Sequence, residues 1–292
     1  MKISSKNFIV QSEINLVDLD TTLDLGLSER KMVNKLKKAR FKLSEFQEKM
    51  YAHNRYKVLI CLQGMDTSGK DSLIREVFKD FNPRGVVVHS FKSPTSTELA
   101  HDYLWRHYLA LPERGIFSVF NRSHYENVLV ARVRPEIVLK EKIPKIESLA
   151  DITENFWQLR FNQIRDFEKS ITQNGTIVLK FFLHLGKNEQ CTRILRRLNE
   201  EKHNWKFEPA DINEREYWDL YQKYYQEAIN KTSTSSCPWF IIPADDKNSA
   251  RLAVAQIILE QLKTLSDVKT PELAPVIKEK LDFYRQSLIN EL

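Results

Sequence analysis

Lys70 closes the run Gly64-Met65-Asp66-Thr67-Ser68-Gly69-Lys70, a Gly-x-x-x-x-Gly-Lys spacing that follows the apolar stretch Leu59-Ile60-Cys61-Leu62 and opens a helical pattern. This is the layout of a phosphate-binding loop. Two glycines let the backbone curl so that successive N–H groups point inward. The following helix adds the positive end of its dipole, and Lys70 adds a mobile cation for phosphate oxygens. Gly64, Met65, Thr67, Ser68, Gly69, Asp71 and Ser72 are therefore phosphate-binding candidates. The residue after the lysine is Asp71 where this loop usually carries a magnesium-binding hydroxyl. Asp66 and Ser72 are the available replacements. The strand–loop–helix context argues against a chance match.

A second cluster is Phe120-Asn121-Arg122-Ser123-His124-Tyr125-Glu126, at the end of an apolar run. Phosphate-loop enzymes carry a magnesium-holding aspartate here. This chain has Asn121, with a carboxylate a helical turn on at Glu126. Arg122 suits the clamping of a transferring phosphoryl group. The rival reading of Ser123 and Glu126 is a plain helix-capping box. Arg132 and Arg134 follow, and fit phosphate contact and a favourable helix C-terminus equally.

The third cluster is Arg193-x-x-Arg196-Arg197 with Lys202, Trp205 and Lys206. Residues 187–206 hold six Lys/Arg and three Asp/Glu, a net of +3. Arg193 and Arg197 share a helical face. A basic helix–turn near a phosphate site reads as a lid that brings cations to substrate and excludes water. The plain alternative is a solvated basic helix.

The elements that must position these residues follow from the hydrophobic pattern. Strands are expected at 57–63, 85–90, 115–120, 176–185 and 239–243. Helices are expected at 28–52, 70–81, 96–111 (opened by a Ser96-Thr97-Glu98-Leu99 cap), 123–131, 152–174, 188–201, 213–230 and 249–265. Residues 1–25 read as an extended arm, and Pro135–Ala150 as a long irregular excursion. Near-continuous apolar strands separated by helices imply a parallel sheet covered on both faces, an α/β fold with ligands at the carboxyl ends of the strands. One domain spanning 1–292 is expected, with an N-terminal arm and helix over 1–52 and a lid at about 187–215.

Composition narrows the classes. The chain has 292 residues, 42% hydrophobic, with net charge +6. No stretch is long and apolar enough to span a membrane, and Met1–Lys6 has no signal-peptide core. Cys61, Cys191 and Cys237 have neither metal nor disulfide spacing and suit a reducing cytoplasm. The histidines show no metal-ligand spacing, and His101, His107 and His124 read as surface or packing residues. The aromatics Trp157, Tyr217, Trp218, Tyr221, Tyr224 and Tyr225 read as core. Lys35, Lys37, Lys38, Arg40 and Lys42 read as a solvated basic face rather than a nucleic-acid contact.

Taken in order, these blocks resemble the polyphosphate kinase 2 family, phosphate-loop kinases related to thymidylate kinase. The likeness runs from about Leu43 to Leu265. It rests on Gln63–Asp71, Glu98-Leu99-x-His101-Asp102-Tyr103-Leu104-Trp105-Arg106, Phe120–Glu126, Val128-Leu129-Val130-x-Arg132-Val133-x-Pro135, Trp205-Lys206, Asp211, Arg215, Trp218, Thr232-Ser233-Thr234, Pro238-Trp239 and Pro243-Ala244-Asp245-x-Lys247. The family's loop commonly ends Gly-Lys-Asp, as here.

The resemblance implies a three-layer αβα kinase fold with a helical lid. It implies Mg²⁺-dependent, reversible phosphoryl transfer between inorganic polyphosphate and adenine nucleotides, with guanine open. By that likeness Asp66 and Lys70 act in the loop, Arg122 at the strand end, and Arg193 or Arg197 in the lid. Asn121 with His124-Tyr125-Glu126 is similar to the branch that accepts AMP as well as ADP. Metal ligation is expected from Asp66 and Glu126. A base pocket is expected around Phe91, Lys92 and Thr95, with Arg134 as a further nucleotide contact. No membrane or nucleic-acid partner is expected, and a homo-oligomer is. The rival functions are an ATP-dependent nucleoside monophosphate kinase, a non-catalytic nucleotide-binding regulator and, more weakly, nucleic-acid binding by the basic N-terminal helix.

Overall fold

Apolar side chains at alternate positions of β1 (Lys57–Gln63) enter different layers of core. Val58, Ile60 and Leu62 face one side of the sheet, Leu59 and Cys61 the other, and all five are fully buried. A strand apolar on both faces belongs in the middle of a covered parallel sheet. The computed structural model, which describes residues 3–292, places it there. The sheet has the order β2-β3-β1-β4-β5, with β2 Val86–Ser90, β3 Phe117–Asn121, β4 Thr176–His184 and β5 Trp239–Pro243, every pair parallel.

Helices of eight residues or more are numbered here. On one face of the sheet α1 (Glu29–His53), α2 (Lys70–Val77) and α6 (Lys247–Leu262) pack through Leu43, Met50, Leu73, Val77 and Ile258. On the other lie α3 (Glu154–Gln173) and α5 (Trp218–Thr232), through Phe161, Ile164, Phe167, Tyr225 and Ile229. α4 (Lys187–Asn199) follows β4, and α7 is Leu281–Ile289. The result is the three-layer αβα arrangement. No helix among the described residues is long and apolar enough to cross a membrane.

The expected strands and long helices all form, with shifts of a few residues at their ends. Three segments differ in kind. The helix expected over 96–111 is two short pieces, Ser96–Leu99 and Trp105–Leu109. Its N-cap is Thr95, one residue earlier than expected, in a capping box with Glu98. The Asp102 carboxylate accepts from the Leu104 amide and so turns the chain between the two pieces. Residues 123–131 are a 3₁₀ segment, His124–Val128, running into a four-residue helix, Val130–Val133. The excursion at 135–150 holds a short helix, Glu136–Leu139, pinned by buried Val138. The arm expected over 1–25, of which residues 1 and 2 lie outside the described residues, holds two 3₁₀ turns, Ser5–Asn7 and Leu16–Asp18. Between them it runs antiparallel beside β5, where Val10 N donates to Trp239 O and Ile241 N to Phe8 O.

Gly115, just before β3, packs against the last turn of α1. Its φ is +80°, and an added Cβ would lie 3.1 Å from Tyr51 Cα. Gly115→Ala is therefore expected to destabilise by at least the ~1–3 kcal/mol of a non-glycine left-handed backbone. Denaturant titration of the two proteins checks this, and equal midpoints would refute it.

Candidate functional site

The loop between β1 and α2 is built for a tight backbone approach. Gly64 has φ +153°, and a Cβ there would lie 2.8 Å from Ser68 Oγ and 2.9 Å from Leu183 O. Gly69 has φ +101° and Thr67 φ +65°, so the loop curls through left-handed residues. Thr67 Oγ1 and Ser68 Oγ are buried and have no partner in the protein. Buried hydroxyls are normally hydrogen-bonded, so these two mark a place made for a ligand. Lys70 is buried, and its Nζ donates to Gly64 O at 2.7 Å and Met65 O at 3.2 Å. Burial, with Arg122 second, lowers its pKa, while Asp66, Glu126 and Asp71 oppose the shift.

β3 pairs beside β1 with Leu62 opposite Asn121, which brings the second cluster to the mouth of the loop. Asn121 Nδ2 donates to Asp71 Oδ1 at 2.6 Å. The two departures from the usual phosphate-loop pattern are thus partners: the carboxylate sits on α2 and the amide on the strand. Arg122 takes a left-handed turn, φ +63°. Its guanidinium donates to Asp66 Oδ1 at 2.8 Å and lies 3.8 Å from Glu126 Oε2. Glu126 above all, then Asp66, raise the Arg122 pKa against the burial that lowers it. Ser123 Oγ caps the turn by accepting from the Tyr125 amide. Glu126 points to Arg122 instead of completing a capping box.

The third cluster divides. Arg193 is buried, and its guanidinium donates to Thr67 O, Ala244 O and Asp245 O at 3.0, 2.7 and 2.8 Å, and to Glu189 Oε1. It braces the back of the loop, with its donors committed to carbonyls and a carboxylate. Arg197 is held by Asp211 at 2.8 Å and by Lys206 O, and Lys206 lies beside exposed Trp205. Arg132 and Arg134 are taken up by other partners. Arg132 stacks over Tyr224 at 4.3 Å and pairs with Glu227 at 2.6 Å. Arg134 stacks on Tyr217 and pairs with Glu214 at 3.0 Å. Ser72 Oγ turns back to Gly69 O.

A cavity of about 330 Å³ opens beside Arg122, lined among others by Phe91, Lys92, Glu98, Arg106, Arg122 and Glu126. Of the residues expected around a base pocket, Phe91 and Lys92 line this cavity. The Thr95 hydroxyl is spent on the capping box, and Arg134 is outside the lining. Sequence reading overlooked Gln190, whose amide donates to Asp66 O at 3.0 Å, and treated Glu98 and Arg106 only as parts of a motif. A polar residue in the first turn after a strand was the available signal for Gln190.

The geometry is that of a phosphotransferase: a phosphate loop, and a cavity reached from it through an arginine that touches both. The polyphosphate kinase 2 family model matches residues 26–270. An ADP-polyphosphate phosphotransferase of Rhodopseudomonas palustris is 42% identical over 292 residues, covering 99% of this chain and 100% of that one. An AMP/ADP-polyphosphate phosphotransferase of Meiothermus ruber is 44% identical over 225 residues, 77% of this chain and 79% of that one. A crystal structure of polyphosphate kinase 2 from Arthrobacter aurescens superposes with a TM-score of 0.84 at 32% identity, covering 96% of both chains. The chain belongs to the polyphosphate kinase 2 family.

Burial raises the Glu126 pKa, and Arg122 and Lys70 only partly offset it. Its folded value lies above its unfolded one, so the native state binds the proton more tightly, and ionising Glu126 costs stability as pH rises through that interval. Glu126→Gln is expected to gain stability relative to wild type on going from about pH 4 upward, starting near the ordinary glutamate value of ~4.3. Thermal midpoints of both proteins between pH 4 and 8 check the sign. A difference that does not change with pH would overturn it.

Proposed function

We propose that the chain transfers phosphoryl groups reversibly between inorganic polyphosphate and adenine nucleotides, making ATP from AMP and ADP. The carrying observation is that Arg122 belongs to both halves of the site. It contacts Asp66 of the loop, and with its neighbour Glu126 it also lines the cavity. A donor phosphate in the loop and an acceptor phosphate at the cavity's inner end would meet at Arg122.

Such transfer needs alignment and charge neutralisation more than covalent chemistry. Lys70, with Ser68 and Thr67 hydroxyls, binds the donor. Arg122 bridges the transferring group, and Phe91 and Lys92 bound the nucleoside. A polyphosphate donor has neither base nor sugar, so cations along its path suffice. The Arg197–Lys206 region is the lid that closes over it, and residues 1–292 act as one domain.

Among the described residues no group of three His, Cys, Asp or Glu is placed to hold a metal. Two carboxylates, Asp66 and Glu126, flank Arg122 at the loop. Mg²⁺ commonly takes one or two carboxylates and leaves its other positions to water and substrate phosphate, so the donor set fits it. Magnesium bound there would neutralise phosphate charge. Glu126 needs to be ionised to take part, and its raised pKa sets a lower pH bound for that.

Two further parts of the reading have lesser support. Val276, Phe283, Leu288 and Ile289 near the C-terminus are exposed and apolar, which suits burial against a second copy in a homo-oligomer. A cytoplasmic location agrees with the free cysteines.

Incubation with polyphosphate, Mg²⁺ and either AMP or ADP, without ATP, is expected to yield ATP, with GMP and GDP as comparison arms. Absence of ATP formation, with transfer from added ATP to AMP instead, would replace this reading by that of a nucleoside monophosphate kinase. Arg122→Ala is expected to lower kcat by about 10²–10³-fold. Glu126→Gln should lose most activity at low magnesium. Wild-type rate and magnesium dependence in that variant would remove Glu126 from the metal site.

A further inference from the structure

Directly behind the Arg122 turn, between the sheet and α3, lies a closed polar cluster that none of the reactions above uses. Lys180 of β4 and Glu168 of α3 are 0% and 1% exposed and are joined at 2.7 Å. Lys180 spends its three protons on Glu168 Oε2, the Tyr125 hydroxyl at 3.0 Å and Thr232 O at 2.8 Å. The other Glu168 oxygen takes the Tyr125 hydroxyl at 2.7 Å and His124 Nε2 at 3.2 Å. Thr232 Oγ1 accepts from Trp239 Nε1 and donates to Ala228 O, closing the cluster against α5 and β5. Burial pushes the Glu168 carboxyl up, but Lys180 and His124 outweigh it and hold it below its ordinary range.

A buried ion pair is a poor device for stability alone, because an apolar pair of the same volume commonly does as well or better. What this pair grips is specific. His124 and Tyr125 are the second and third residues after Arg122, a non-glycine residue held at φ +63°. Such a backbone persists only where the surroundings over-determine it. Ser123 is gripped as well, its Oγ accepting from Gln63 Nε2 at 3.1 Å. Upstream, the Arg122 amide donates to Leu62 O, so the turn is fixed from both sides.

We propose that Glu168 and Lys180 are positioning residues for phosphoryl transfer: by fixing His124 and Tyr125 they hold the strained Arg122 turn that aims the guanidinium at Asp66. They touch neither substrate. Their effect on rate rests on the reading of Arg122 given above, whereas their effect on the turn does not.

The double variant Glu168→Leu/Lys180→Met exchanges the ion pair for apolar groups of similar size and so tests position apart from folding. The expected result has three parts. Its thermal midpoint stays within a few degrees of wild type, KM for the nucleotide changes little, and kcat for ATP formation from polyphosphate and ADP falls about 10²-fold, the scale of a 1 Å misplacement. Tyr125→Phe, which keeps the ring and removes the hydroxyl, should give a smaller loss of the same type. A double variant with wild-type kcat, or one whose kcat and midpoint fall together, overturns the proposal. A crystal structure of the double variant separates the two readings. If wild type makes no ATP yet the Arg122 turn has moved, only the activity reading fails. An unmoved turn refutes the positioning role whatever the activity.

Discussion

The site depends on one arginine held between two carboxylates on a backbone that resists being there. Arg122 reaches Asp66 at 2.8 Å and faces Glu126 at 3.8 Å, from a left-handed turn. With Lys70 beside them, two cations and two anions balance in a space where Lys70 and Glu126 are largely covered and Arg122 and Asp66 partly exposed. That balance lets buried cations exist before phosphate arrives, since an unpaired buried charge is strongly unfavourable. It also sets the terms of the proposed binding. A phosphate would compete with carbonyls for Lys70 and with carboxylates for Arg122, while a divalent cation would take up the carboxylates released. Binding is then an exchange of partners in a preformed frame, with little reorganisation left for the transfer step.

The frame comes from the middle of the sheet. β1 lies between β3 and β4, so the loop after it is within reach of side chains following both neighbours. From β3 come Asn121 and Arg122. From α4, after β4, come Gln190 and Arg193, which bind the carbonyls of Asp66 and Thr67. The loop is therefore braced from two sides, and Gly64 has no room for a Cβ against Leu183. The start of α4 is fixed to the loop by these bonds. Arg197 and the segment after it are tied mainly to each other, through Asp211 and Lys206. The lid proposed above would therefore pivot beyond Arg193 and leave that arginine in place.

What could be read from the sequence divides along physical lines. Apolar periodicity located β1 and β5 to the residue and α1 to within one, because those elements bury a continuous face. The Gly64–Lys70 spacing located the loop. The break between Ser96–Leu99 and Trp105–Leu109 was hidden because its cause is one side-chain bond, from Asp102 to the Leu104 amide. Helical spacing placed Arg193 and Arg197 on one face but could not tell what that face meets. Arg132 met an aromatic cage of Trp157, Phe161 and Tyr224, drawn from two helices far away in the chain. A signal was present for the Glu168–Lys180 pair: a lysine inside the apolar run of β4 and a glutamate on the apolar face of α3. Two opposite charges at core positions need each other, although sequence alone does not say that they meet.

The pairing of Asn121 with Asp71 resolves the loop's oddest feature. A usual phosphate loop would have a hydroxyl at 71 and an aspartate at 121. Exchanging these for a carboxylate at 71 and an amide at 121 keeps the number of acids constant but moves the charge. Asp71 is exposed in the first turn of α2, where the helix dipole favours an anion. Asn121 is neutral beside Arg122 and within the reach of Asp71. An aspartate at 121 would add an anion to Asp66 and Glu126 at the strand ends, against the same Lys70 and Arg122. For a single nucleotide accompanied by its own metal ion that surplus is tolerable. For the long polyanionic donor proposed above it would add repulsion. Moving one carboxylate from the strand end to the exposed first turn of α2 places it where the helix dipole favours it and where the Asn121 amide binds it.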